Sequence, residues 1–290
     1  MWYQLHIELC HKNGIDVLSE ALEETGALSI TLTDKNDDPV LEPEPGTTPL
    51  WPDIIVNALY AEEADALTAQ IQLTTDFPNL QISRTTLADQ DWERAWMDDF
   101  KPQSFGSRLW ICPSWSTPPN PDAINLILDP GLAFGTGTHP TTSLCLQWLD
   151  KAHLQGKTVI DYGCGSGILA LAALKLGAAS VHAVDIDPQA LQATQNNAES
   201  NDLLNNNQLV MGYPNELNTC VDLIIANILL SPLMSLRQRF HALLNPAGML
   251  VVSGILTEQV DQLIEEYHGQ FTHQDTISRD GWSLILFKRA

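Results

Sequence analysis

Three stretches of the chain place chemically capable residues at spacings that bind or react. Asp161-Tyr162-Gly163-Cys164-Gly165-Ser166-Gly167 follows an apolar run and leads directly into Ile168 to Leu176. Glycines at alternate positions let a backbone turn sharply and approach a ligand, which makes Gly163 and Gly165 candidate cofactor contacts. Dinucleotide enzymes use G-x-G-x-x-G at the same place, whereas the spacing here is G-x-G-x-G with an acid at the end of the run. A pyrophosphate is served by helix N–H groups with no carboxylate nearby. S-adenosylmethionine instead carries an ammonium and a sulfonium, which Asp161 would favour directly or through water. The acid therefore points to the sulfonium compound. Asp185 closes the next apolar run, 22 residues after Gly163, where a carboxylate accepts hydrogen bonds from both hydroxyls of a ribose. That device serves NAD equally, so Asp185 marks an adenosine site without choosing the cofactor. Ala226-Asn227-Ile228-Leu229 ends a later apolar run, where open α/β sheets bind ligands.

Upstream lies Leu128-Asp129-Pro130-Gly131-Leu132-Ala133-Phe134-Gly135-Thr136-Gly137-Thr138-His139-Pro140-Thr141-Thr142. Its small residues allow it to fold over a ligand. His139-Pro140 reads as a helix start, with His139 a cap or anchor rather than a catalyst, because no His, Cys or carboxylate stands near it at metal or triad spacing. The stretch resembles, almost residue for residue, the loop of the bacterial methyltransferases that modify ribosomal protein L11. The resemblance continues through Asp161 to Gly167, Asp185-Ile186-Asp187-Pro188, Ala226 to Leu229 and Ser253-Gly254-Ile255-Leu256, and covers nearly the whole chain.

It implies a protein N-methyltransferase using S-adenosylmethionine, with cofactor contacts at Thr142, Gly163, Asp185 and Asn227 and no metal. It also implies a small N-terminal domain that recognises the substrate, and acceptors that are lysine side chains and the N-terminal amine of L11. Methyltransferases acting on planar nitrogens share an Asn-Pro-Pro-aromatic motif where this chain has Asn227-Ile228-Leu229. The missing aromatic points to an aliphatic amine, positioned by Asn227 without a general base.

These residues must be held by elements whose signals are also in the sequence. From Gly156 onward, apolar runs at Thr158 to Tyr162, Ser180 to Val184, Gln208 to Met211, Asp222 to Ala226 and Met249 to Ser253 alternate with helical segments, the pattern of a doubly wound parallel sheet. Asp187-Pro188 and Ser231-Pro232 read as N-caps before a first-turn proline. Phe271 to Ile277 and Trp282 to Phe287, joined through Asp280-Gly281, read as an antiparallel hairpin, which together with the parallel sheet is typical of class I methyltransferases. Residues 1 to 88 give strand, helix, strand, strand, helix, strand, the order of a ferredoxin-like α+β unit. Its first helix has Ile15, Leu18 and Leu22 on one face and ends at Gly26, and its second has Ala64, Leu67 and Ile71 aligned. Asp34 to Pro52 reads as a loop. Asp89 to Phe100 reads as a connecting helix with Trp92, Trp96 and Phe100 packing between domains, followed by a Pro/Gly hinge at Lys101 to Gly106. The expected division is a recognition domain at 1–88, a linker helix and hinge at 89–106, and a methyltransferase domain at 107–290.

Composition narrows the function further. Lys plus Arg 14 against Asp plus Glu 36 leaves a net charge of −22, which opposes direct binding to nucleic-acid phosphates and suits a basic protein partner. Residues 1–88 hold 3 basic and 15 acidic residues, 3 − 15 = −12. No apolar run approaches the roughly 20 residues that cross a bilayer, and the start lacks a basic n-region and cleavage site. Five widely spaced cysteines without a C-x-x-C pair read as reduced thiols. The expected location is the cytoplasm. Two rival readings are an NAD-dependent oxidoreductase, disfavoured by the glycine spacing and the terminal hairpin, and a non-catalytic acidic adaptor for a basic protein.

Overall fold

The computed structural model describes residues 1–10, 14–36, 50–88, 100–129, 137, 139–204 and 208–290. Two compact units divide it, Met1–Ala95 and Trp96–Ala290. Trp92 and Trp96 of the expected connecting helix lie outside the described residues, as do most of the loop 130–138 and of the segment 34–52. Phe100 is described, and its ring lies 6.5 Å from that of Trp115.

In the first unit, β1 (Trp2–Cys10), β2 (Ser29–Asp34), β3 (Asp53–Tyr60) and β4 (Gln81–Leu87) form an antiparallel sheet ordered β2-β3-β1-β4, the ferredoxin-like arrangement. Strict alternation drives it: Leu5, Ile7 and Leu9 on β1 and Ile54, Val56, Ala58 and Tyr60 on β3 are buried on one face. That face is covered by α1 (Ile15–Glu24) and α2 (Glu63–Asp76). α1 buries Ile15, Leu18 and Leu22 and stops at Gly26, whose φ of 83° suits a residue without Cβ. α2 departs from expectation. It buries Ala66, Ala69 and Leu73, while Leu67 and Ile71 point out at 45% and 62% exposure. A 3.6-residue period gives a stripe but not which stripe faces inward.

The second unit begins with a small sheet the sequence did not announce. Its strands β5 (Gln103–Phe105), β6 (Leu109–Cys112) and β7 (Ile124–Ile127) are ordered β5-β6-β7. Its first strand lies within the segment Lys101 to Gly106, where the sequence places a hinge. The carboxylate of Asp150 accepts the backbone N–H groups of Ser107, Arg108 and Leu109 at 2.9, 2.9 and 3.0 Å, and a Cβ on Gly106 would collide with that side chain. Gly106 and the residues after it are thus packed within the second unit.

The main sheet has seven strands, β8 (Thr158–Tyr162), β9 (Ser180–Val184), β10 (Leu209–Gly212), β11 (Val221–Asn227), β12 (Leu244–Leu256), β13 (Phe271–Arg279) and β14 (Trp282–Arg289), ordered β10-β9-β8-β11-β12-β14-β13. The first five are mutually parallel, and β14 and β13 run antiparallel. The hairpin turns on Asp280 and Gly281, both at positive φ (50° and 79°), as a two-residue type I′ loop requires. One face packs with α3 (Pro140–Lys151), α4 (Ile168–Lys175) and α5 (Pro188–Glu199). The other packs with α6 (Leu230–Leu243) and α7 (Val260–Tyr267). Asp187 caps α5 by accepting the Gln189 N–H at 2.8 Å. Ser231 caps nothing, because α6 starts a residue earlier, at Leu230, with Leu229 as its N-cap. No described helix is long and apolar enough to cross a membrane.

Candidate active site

The carboxyl ends of β8, β9 and β11 surround a cavity of about 500 Å³, in the size range of small-molecule sites. Thr142, Gly163, Gly165, Asp185 and Asn227 all line it. The sheet brings them together because each follows or ends a strand at the same edge, except Thr142, which is delivered by the first turn of α3. His139 is the N-cap of that helix: its Nδ1 accepts from the Thr141 N–H at 3.4 Å and pairs with Thr141 Oγ1 at 2.7 Å. Burial holds its imidazole below the ordinary histidine range.

The turn after β8 runs close to the next strand. Gly163 and Cys164 both donate backbone N–H to Val184 O, at 2.8 and 3.0 Å. Gly163 has φ 80°, and a Cβ there would run into Ile228 Cγ2, so the wall of the cavity tolerates only glycine at this point. Asp185 ties the loop down while facing the cavity. Its Oδ2 accepts from Gly165 N–H and its Oδ1 from Asp187 N–H, each at 3.0 Å. Each carboxylate oxygen has two lone pairs, so Asp185 can still accept from a ligand's hydroxyls.

Asp161 behaves differently from the sequence reading. It is 0% exposed and is not among the residues lining the cavity. Its Oδ2 accepts the Ala170 N–H at 2.9 Å, inside α4, and its Oδ1 is buried with no hydrogen-bond partner among the described residues. Burial pushes its carboxyl up to about 7, against the pull of the Ala170 N–H and with help from the charge of Asp185. Asp161 thus does not line this cavity, and of the two routes the sequence suggested its placement favours the one through water.

Asn227 sits at the last position of β11, opposite Ser253 of β12. Its Nδ2 donates to Thr142 Oγ1 at 3.2 Å, fixing which way the amide faces. Its Oδ1 is buried and unpartnered among the described residues. A buried acceptor without a donor is costly, and the missing donor is one a ligand N–H can supply. Among the described residues, Asp185 is the only carboxylate lining the cavity, and Cys164, the only thiol there, is pushed above its usual range by burial. The remaining wall is mostly apolar, including Ile186, Ile228 and Leu236. The donor set fits a nucleoside with hydroxyls on Asp185 and an amine beside Asn227. No cluster of metal ligands occurs among the described residues, and Cys112, Cys145, Cys164 and Cys220 are free thiols.

One neighbour of the site was not legible in the sequence. Trp282, at the start of β14, packs its ring 4.8 Å from His139, edge to face at 71°. The turn at Asp280-Gly281 signalled where β14 begins, but a contact across that separation depends on the sheet order.

The chain matches known proteins over its full length. Residues 1–290 fit the family profile described as ribosomal protein L11 methyltransferase (PrmA). The ribosomal protein L11 methyltransferase of Legionella pneumophila (strain Philadelphia 1) is 61% identical over 287 residues, 99% of each chain. That of Nitrosococcus oceani is 49% identical over 294 residues, again 99% of each. The crystal structure of a ribosomal protein L11 methylase from Lactobacillus delbrueckii subsp. bulgaricus is similar with a TM-score of 0.59 and 33% identity, covering 66% of this chain and 99% of that one.

Proposed function

The chain belongs to the ribosomal protein L11 methyltransferase family, and we propose that it transfers methyl groups from S-adenosylmethionine to lysine side chains and the N-terminal amine of ribosomal protein L11. The observation that carries the chemistry is the buried Oδ1 of Asn227, unpartnered among the described residues and held by Thr142 at the edge of a cavity whose one described carboxylate is Asp185. S-adenosylmethionine, when bound, supplies an electrophilic methyl group that an amine lone pair can displace in line. Asp185 receives the ribose hydroxyls, Gly163 and Gly165 let the backbone come close, and Thr142 fixes the face that Asn227 presents. Asn227 Oδ1 accepts an N–H of the incoming amine, which aims its lone pair away from that bond.

Only a neutral amine can attack. At pH 7 an unperturbed lysine near pKa 10.4 costs roughly 4 to 5 kcal/mol to deprotonate and an α-amine near 8 about 1 kcal/mol; a largely apolar cavity lowers both costs by disfavouring the charged form. Among the described residues the one carboxylate on the cavity wall is Asp185, and in this reading the proton leaves to water. In this reading residues 107–290 bind the cofactor and carry out the transfer, residues 1–88 hold the protein substrate, and the enzyme works in the cytoplasm on a basic protein, its net charge of −22 opposing direct contact with nucleic acid.

Intact-mass measurement of L11 after incubation with enzyme and S-adenosylmethionine tests the reaction; additions of 14 Da are expected (about 14 Da per methyl replacing hydrogen), and an unchanged mass would refute it. Asn227→Ala tests the role. Its kcat is expected to fall about 10- to 100-fold as the amine loses its orientation, a larger change than in affinity for S-adenosylhomocysteine, and an unchanged kcat would remove Asn227 from the reaction.

A further inference from the structure

α2 is built against its own interest as a mere cover for the sheet. It turns two alanines and one leucine, Ala66, Ala69 and Leu73, toward the core and leaves Leu67 and Ile71 in solvent. Their i, i+4 spacing makes them neighbours on one outer stripe, and a helix that served only to close the core would carry these large side chains on the opposite face. The charge around the stripe is of one sign. Glu62, Glu63 and Asp65 stand at the first turn and Asp76 at the last, and neither α1 nor α2 contains a Lys or Arg. Arg84 of β4 pairs with Glu63 at 3.0 Å.

We propose that the outer face of α2 is the docking surface for the basic protein substrate, an inference that rests on the substrate reading above. The apolar pair would bury against apolar side chains of the partner while the acids around it meet lysines and arginines. Charge selects the occupant. A second copy of this chain in a two-fold contact would set the same acids against each other. Two exposed side chains also fall well short of the roughly 1,600 Å² that stable interfaces bury. Anionic lipid headgroups and nucleic acids are repelled by the same acids. A small apolar centre with a charged rim suits an enzyme that must release its product, because rim charges speed association more than they slow dissociation.

The test compares kinetics of the full-length wild type with Leu67→Gln/Ile71→Gln, which keeps helix propensity, using intact ribosomal protein L11 and S-adenosylmethionine. The KM for L11 is expected to rise about tenfold or more, with kcat, S-adenosylhomocysteine affinity and melting temperature unchanged. Asp65→Lys should raise KM as well and weaken its dependence on salt. Thr31→Lys, on the open face of the sheet where β2 and β3 pair Thr31 with Asn57, should leave KM unchanged. Unchanged KM in the α2 variants, or a rise confined to Thr31→Lys, would overturn the assignment while leaving the substrate reading intact. Wild-type enzyme that leaves L11 unmodified would sink both. A wild-type dimer that the double variant dissociates, seen by light scattering, would show that a second copy covers the face and overturn it too.

Discussion

Asp161 and Asp185 stand at the carboxyl ends of adjacent parallel strands, at the same edge of the sheet, and their environments are opposite. Asp161 is still within β8 and paired beside Ala183 and Ile225, so its side chain goes into the packed layer beneath α4. Asp185 is one residue past the end of β9, where the chain has left the sheet, and its side chain turns into the cavity. A strand alternates its faces with a period of two, and both faces of a parallel sheet are covered. A carboxylate one residue short of the strand's last paired position is therefore buried, as Asp161 is, and one a residue beyond that position is free to meet a ligand, as Asp185 is. Residue type and approximate position at a sheet edge do not assign a role; the strand's last paired residue does.

The largest effect that could break this comparison is on stability. Asp161 has a folded-state pKa of about 7, above that of a carboxylate in the unfolded chain. Below pH 4 both states are protonated and nothing is lost. Between about 4 and 7 the unfolded chain ionises while the folded one holds its proton, so wild-type stability falls as pH rises, and above 7 the full cost is present. Asp161→Asn keeps an acceptor for the Ala170 N–H and cannot ionise. Urea unfolding should show the variant gaining on wild type by up to the order of 4 kcal/mol between pH 4 and pH 8. A difference that stays constant with pH would mean Asp161 is not buried as described.

Asp185→Ala carries the next largest effect, and on a different observable. Losing charged hydrogen bonds to ribose hydroxyls should weaken S-adenosylhomocysteine binding by about 1.5 to 3 kcal/mol in calorimetry. Because the charge of Asp185 helps raise the pKa of Asp161, the variant's stability should also stop falling at a lower pH than that of the wild type and lose less in total. Unchanged affinity in the folded variant would take Asp185 out of the site.

The sequence made much of this legible, for identifiable reasons. β8 and β9 were readable to the residue, because each is a short apolar run bounded by glycine or an acid, and the hairpin was fixed by a turn that only Asp-Gly-like pairs adopt. Thr142, Gly163, Gly165, Asp185 and Asn227 fell into one cavity because the parallel sheet gathers strand ends that are far apart in sequence. What failed depended on partners a linear reading cannot see. The three- and four-residue strands β5 to β7 have no run long enough to show a period, and Asp150 holds the turn between β5 and β6 from more than forty residues away. The inward face of α2 was misassigned because Leu67 and Ile71 have the spacing of a core stripe. Whether Asp161 acts directly or through water stayed open because the bounds of β8, though legible, do not tell which covered face of the sheet its side chain enters.

Ile186 gives the smallest and sharpest test, since it lies between Asp185 and Asp187 and shares the feature that distinguishes Asp185 from Asp161. It too stands past the end of β9. It is 84% exposed although it is a large apolar residue, and it lines the cavity. Exposed side chains contribute little to folding, so Ile186→Ala should shift stability by less than about 0.5 kcal/mol. If a nucleoside base covers this side chain on binding, truncation removes part of the apolar area that would leave water. Affinity for S-adenosylhomocysteine should then drop by up to about 1 kcal/mol, roughly fivefold. The same substitution at a buried position such as Ile160, which is in the core of the neighbouring strand β8, would cost about 2 to 5 kcal/mol of stability. Two isoleucines in adjacent segments, one within a strand and one beyond it, should thus separate folding from binding as the two aspartates do. A loss of stability at Ile186 matching that at Ile160, or no loss of affinity, would end the argument that standing past the end of β9 is what makes Asp185 and Ile186 available to the ligand.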